Sequence, residues 1–128
     1  MTGGVLIDTS VWVDHFRHRN EALVHLLTLD LALTHPMIVT ELACGTPPAP
    51  RVRTLTDIAT LPLARQANLD EVRELIESEQ LFGLGCGLVD LALLTSALLT
   101  PGSQLWTQDK RLLLLAERFG IAYPPARH

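Results

Sequence analysis

The apolar run Val5-Leu6-Ile7 stops at Asp8-Thr9-Ser10, and that junction constrains the fold more than any other feature of the chain. Two of its three apolar residues are β-branched, as a short buried strand requires. Asp, Thr and Ser are the residue types that start helices by accepting hydrogen bonds from free N–H groups. The junction reads strand, tight turn, helix. The alternation recurs along the chain, with further strand candidates at Leu31 to Leu33, Leu61 to Ala64, Gln104 to Trp106 and Ile121 to Tyr123. Pro62 demotes the second of these towards a sheet edge. Helical spacing predicts a helix carrying Val11, Trp12, His15 and Phe16 inward, then helices from Glu21 to Leu29 and from Pro36 to a stop at Gly45. Val52 to Ala59, Glu71 to Gln80 (capped by Asn68 or Asp70), Val89 to Leu99 and Lys110 to Phe119 follow. Strands that alternate with helices pair in parallel through right-handed crossovers, so the expected class is a three-layer α/β domain with helices on both sheet faces.

At 128 residues, 48% hydrophobic and 19% charged, the chain has room for one compact domain, 1–128, and is far from disordered composition. Lys and Arg number 10 against 14 Asp and Glu, a net charge of −4, so no basic surface field attracts nucleic acid or an anionic membrane. Any nucleic-acid contact must be local. Cys44 and Cys86 have no metal-like spacing, and no leader-like segment opens the chain; the expectation is a cytoplasmic protein with free thiols. Asp90 interrupts the apolar stretch from Leu81 to Thr100, which argues for a buried core helix and against a membrane span. Gly83-Leu-Gly-Cys-Gly87 lacks the third glycine of a dinucleotide-binding turn and follows a helix instead of a strand, so no dinucleotide is expected.

Four carboxylates stand among apolar neighbours: Asp8, Glu41 between Val39 and Leu42, Asp90 in Leu88-Val-Asp-Leu-Ala, and Asp109 in Leu-Trp-Thr-Gln-Asp. An ionised carboxylate in such surroundings needs a partner or a metal. Capping of helix N-termini accounts singly for Asp8, Asp90 and Asp109. It does not account for Glu41, in mid-helix. Carboxylates brought within about 4 Å repel by roughly 4 kcal/mol per pair at an effective dielectric of about 20, so convergence would call for cations. An oxygen-only donor set suits Mg²⁺ or Mn²⁺, which bind together with phosphate oxygens, and phosphodiester hydrolysis is the chemistry such a set serves.

The segments Leu6-Ile-Asp-Thr-Ser-Val-Trp-Val-Asp14, Val39-Thr-Glu-Leu-Ala-Cys-Gly45, Gly87-Leu-Val-Asp-Leu-Ala-Leu-Leu-Thr-Ser-Ala97 and Leu105-Trp-Thr-Gln-Asp-Lys-Arg111 resemble, in order, the four acidic motifs of PIN-domain ribonucleases of the VapC toxin type. The resemblance covers nearly the whole chain. It implies that Asp8, Glu41, Asp90 and Asp109 are catalytic acids holding Mg²⁺ or Mn²⁺, with Thr107 and Ser10 in support and Asp8 at the end of the central strand. It further implies an endoribonuclease acting on single-stranded loops of structured RNA, a VapB-type antitoxin whose C-terminal segment blocks the pocket, and a homodimer. The alternative is a catalytically silent PIN-like module that binds RNA or protein. Receiver and haloacid-dehalogenase readings fail on position: a receiver needs a paired acid after its first strand, and the dehalogenase needs Asp where Ser10 stands.

Asp14, Arg17 and His18 share a helix face at spacings that predict solvated charge pairs. Alternatively Arg17, Arg19, Lys110 and Arg111 supply phosphate contacts beside the acids. Trp12 and Trp106 have core-like spacing and are assigned to packing, and His15, His18, His25, His35 and His128, which form no metal or triad motif, to surface or packing roles.

Overall fold

The computed structural model describes residues 3–124. Ten elements follow one another: β1 (Val5–Ile7), α1 (Thr9–Arg17), α2 (Glu21–Thr28), β2 (Ala32–Leu33), α3 (Pro36–Ala43), α4 (Arg51–Ala59), α5 (Leu69–Glu79), α6 (Leu88–Leu99), β3 (Gln104–Trp106) and α7 (Lys110–Arg118). The sheet has the order β2-β1-β3 and is parallel throughout, with Leu6 opposite Leu33 on one side and Leu105 on the other. Flanked by strands on both edges and covered by helices, Leu6 and Ile7 are fully buried, as the continuous apolar run requires. α3 packs on α1 and α4, while α6 packs on α5, α7 and β3, which gives the PIN-like α/β/α arrangement.

The strand order positions the site. From β1 the chain crosses to β2 on one side, then crosses back over to β3 on the other, so the direction of winding reverses at the carboxyl end of β1. Ligands of open parallel sheets bind in the crevice at such a reversal. Asp8 is the first residue beyond it.

Two expected strands shrink to single bridges. Leu61 to Ala64 contributes only Thr34 with Leu63, and Ile121 to Tyr123 only Leu105 with Ala122. Each flanks an edge strand of only two or three residues, and Pro62 has no N–H to extend the ladder. Of the two caps considered for α5, Asn68 is the one used. Its side chain accepts from Glu71 N while Glu71 reaches back to Asn68 N, a reciprocal capping box. α6 is apolar on nearly all sides, with Leu91 to Ala97 buried, and among the described residues no helix is long and apolar enough to cross a membrane. Trp12 and Trp106 are buried as packing residues, and Cys44 and Cys86 are free thiols. His128 lies outside the described residues.

Candidate active site

Asp8 occupies the N-cap position of α1 yet makes no capping bond with its side chain. At 5% exposure its carboxylate is instead held by two hydroxyls on one oxygen: Ser10 Oγ donates to Oδ2 at 2.7 Å and Thr107 Oγ1 donates at 2.8 Å. Those hydroxyls are themselves oriented, because Gln108 N donates to Ser10 Oγ at 2.9 Å and Asp109 N donates to Thr107 Oγ1 at 3.0 Å. The turn after β3 thus feeds backbone N–H groups through two hydroxyls onto Asp8. Oδ1 has no hydrogen bond among the described residues.

Asp109 does cap, accepting from Arg111 N at 2.9 Å and Leu112 N at 3.0 Å with Oδ1. Glu41 accepts from Thr9 Oγ1 at 2.6 Å, which ties α3 to the residue following Asp8. Asp90 lies in the first turn of α6, behind the N-cap Gly87. Its carboxyl is raised above its ordinary pKa by burial first, then by the negative charges of Asp8 and Asp109; the backbone N–H of Gly87 opposes the rise and Glu41 adds to it. All three other acids therefore act on Asp90 through space. Cys86 feels the same field: burial, then Asp90 and Asp109, push its thiol pKa up, and Arg111 opposes them.

Two sequence expectations need correction. Glu41 and Asp109 are exposed and Asp90 is half-buried, so of the four acids only Asp8 is buried. A helix turns about 100° per residue, and Leu42 can face the core while Glu41 faces the crevice. Nor do Asp14, Arg17 and His18 pair with one another. Asp14 accepts from Asn20 Nδ2 at 3.2 Å, and His18 lies past the helix end. Sequence reads Thr9 only as a helix-starting residue; its hold on Glu41 joins residues 32 positions apart and has no local signal beyond its place directly after Asp8.

No Lys or Arg neutralises any of the four acids among the described residues; the ion pairs there are Arg19 with Glu21, Arg53 with Asp57, Arg73 with Asp70, and Arg118 with Glu79. Nor do three or more acid, His or Cys side chains close into a ready-made metal cage among those residues. Three of the acids are held by hydroxyl or N–H donors: Asp8 by Ser10 and Thr107, Glu41 by Thr9, and Asp109 by the N-terminus of α7. The donor set is oxygen-only and suits a hard divalent cation. A cleft of about 540 Å³ opens beside it, lined by Thr9, Arg17 and Glu41 on its polar side and by Phe16, Leu42 and Pro48 on its apolar side. Arg17 and Lys110 make no ion pair or side-chain hydrogen bond among the described residues, whereas Arg111 donates to Gly85 O at 3.4 Å, and a side chain at Gly85 would strike its guanidinium at 2.8 Å. Arg19 is committed to Glu21.

A short parallel sheet between helices, with acids gathered where its winding reverses, defines a PIN-type α/β/α protein. The comparison with known sequences agrees. Over 118 residues the chain is 41% identical to Ribonuclease VapC32 of Mycobacterium tuberculosis, in strain CDC 1551 / Oshkosh and in strain ATCC 25618 / H37Rv alike, spanning 92% of this chain and 94% of that protein. The chain belongs to the VapC ribonuclease family. No family model matches it.

Proposed function

We propose that the chain, acting as one unit over 1–128, is a metal-dependent endoribonuclease and the toxin of a toxin–antitoxin pair. One observation supports this above the others: Asp90 feels Asp8, Asp109 and Glu41 at once, and no basic side chain among the described residues relieves them. Relatives named Ribonuclease VapC32 supply the activity class. Asp8, Glu41, Asp90 and Asp109 would hold Mg²⁺ or Mn²⁺, which when bound supplies electrostatic stabilisation to a phosphoryl centre and its leaving oxygen. The chain's own part is placement. Ser10 and Thr107 fix the plane of the Asp8 carboxylate, Thr9 fixes Glu41, and the N-terminus of α7 fixes Asp109. Arg17, Lys110 and Arg111 border these acids and would contact phosphates of the RNA, which is read as single-stranded loops of a structured molecule. A VapB-type antitoxin would silence the pocket, and exposed Phe82, Leu84 and Leu88 would serve a homodimer contact. No observation favours the catalytically silent module.

Asp8→Asn tests the assignment. It keeps the size and the hydroxyl contacts of the side chain while removing its charge, so the protein should fold with Ser10 and Thr107 still in place and lose RNA cleavage and growth inhibition. EDTA should silence the unmodified protein. Cleavage by folded Asp8→Asn at the unmodified rate would sink the proposal.

A further inference from the structure

His35 is 3% exposed and sits at the N-cap of α3, where Pro36 opens the helix. Met37 N donates to its Nδ1 at 3.0 Å, so Nδ1 carries no proton. The neutral ring then bears its hydrogen on Nε2, which donates to Ser96 Oγ, 3.2 Å away in the buried face of α6. Ser96 Oγ also accepts from Ala67 N at 3.1 Å, in the segment leading to α5. Burial lowers the pKa of the imidazole and keeps it in this neutral form.

The placement of this bond gives it leverage. α3 belongs with α1 and α4, whereas α6 belongs with α5, α7 and β3, so the imidazole joins two helix groups that otherwise meet mainly through the sheet. In α3 six residues lead from His35 to Glu41, and in α6 six residues lead from Asp90 to Ser96. Each interval is about 9 Å of helix. The bond and the acids therefore lie at opposite ends of equal helix spans, and Glu41 and Asp90, which repel each other, stand at the far ends. We propose that His35 is a positioning residue for the acidic pocket, its imidazole pinning the start of the Glu41 helix to the Asp90 helix through Ser96. The inference rests on reading Glu41 and Asp90 as parts of a ribonuclease site.

Two variants and two readouts test it. Asn at position 35 preserves the cap, since its carbonyl replaces Nδ1, but is too short to reach Ser96. Ser96→Ala removes the other end of the bond and, with it, the acceptor of Ala67 N. By hydrogen exchange, Ser96→Ala should speed exchange of the Met37 amide, 59 positions away in sequence, by about five- to tenfold, the worth of one buried hydrogen bond. In cleavage assays with Mn²⁺, His35→Asn and Ser96→Ala should each lower kcat about five- to tenfold with KM for RNA little changed, and the double variant should be no worse than Ser96→Ala alone. An unchanged Met37 amide, or kcat losses that multiply in the double variant, would overturn the proposal. If His35→Asn does not fold, Ser96→Ala alone decides through Met37 and kcat. If the unmodified protein cleaves no RNA while Met37 responds, the coupling stands and the ribonuclease reading falls.

Discussion

If Asp90 is one of the metal-holding acids proposed above, function and stability conflict within its side chain. Its pKa is raised by burial and by Asp8 and Asp109, so the folded protein binds its proton at a pH where the unfolded chain, with the ordinary value of 3.8, has already released it. The sign follows from linkage. Between those two pKa values the native state holds more protons than the unfolded state, and folding is penalised as pH rises through the window. The penalty is absent below 3.8 and is complete once the pH exceeds the raised value of the folded state. Asp90→Asn removes the charge that Asp8, Asp109 and Glu41 oppose, so it should raise Tm at pH 7 and abolish cleavage. The gain should shrink as the pH of the melt is lowered towards 4, which differential scanning calorimetry measures. A variant that melts lower than the unmodified protein at pH 7 would show that Asp90 is already neutralised.

At the level of elements, legibility followed the range of the interaction. β1 running into α1 is readable because the β-branched run and the helix-starting residues are adjacent, and α5 is readable because Asn68 and Glu71 lie three residues apart. Substituting Asn68 with Ala removes one half of that box and should lower stability by about 1 kcal/mol in urea unfolding, leaving cleavage per folded molecule unchanged, since α5 carries none of the four acids. What local pattern could not give was orientation and partnership. Glu41 reads as an odd acid from its neighbours, but its exposure depends on the rotation of α3 about its own axis. From sequence His35 reads as a surface or packing histidine, because its partner stands 61 residues away on another helix. The two bridges that replaced expected strands have the same origin, since a ladder's length depends on the neighbouring strand as well as on the run itself.

For the whole molecule, the net charge of −4 opposes approach of a polyanion, so binding of RNA has to be carried by cations next to the pocket. Arg17 and Lys110 have no ion pair or side-chain hydrogen bond among the described residues, and Arg111 is held only by the carbonyl of Gly85. If these three neutralise one phosphate each, single-stranded RNA should bind with a slope of log affinity against log salt of roughly −2, about −0.7 for each contact. Arg17→Ala should reduce that slope by about 0.7 and weaken binding of every sequence alike, because a phosphate contact carries no base information. Fluorescence anisotropy with the inactive Asp8→Asn variant, at fixed Mg²⁺ and from low to moderate KCl, separates this contact from catalysis. A slope unchanged in the Arg17 variant would remove that residue from the RNA path and leave its side of the cleft to another occupant. A slope near zero in the parent would mean that base stacking on apolar walls such as Phe16 and Pro48, not charge, holds the strand.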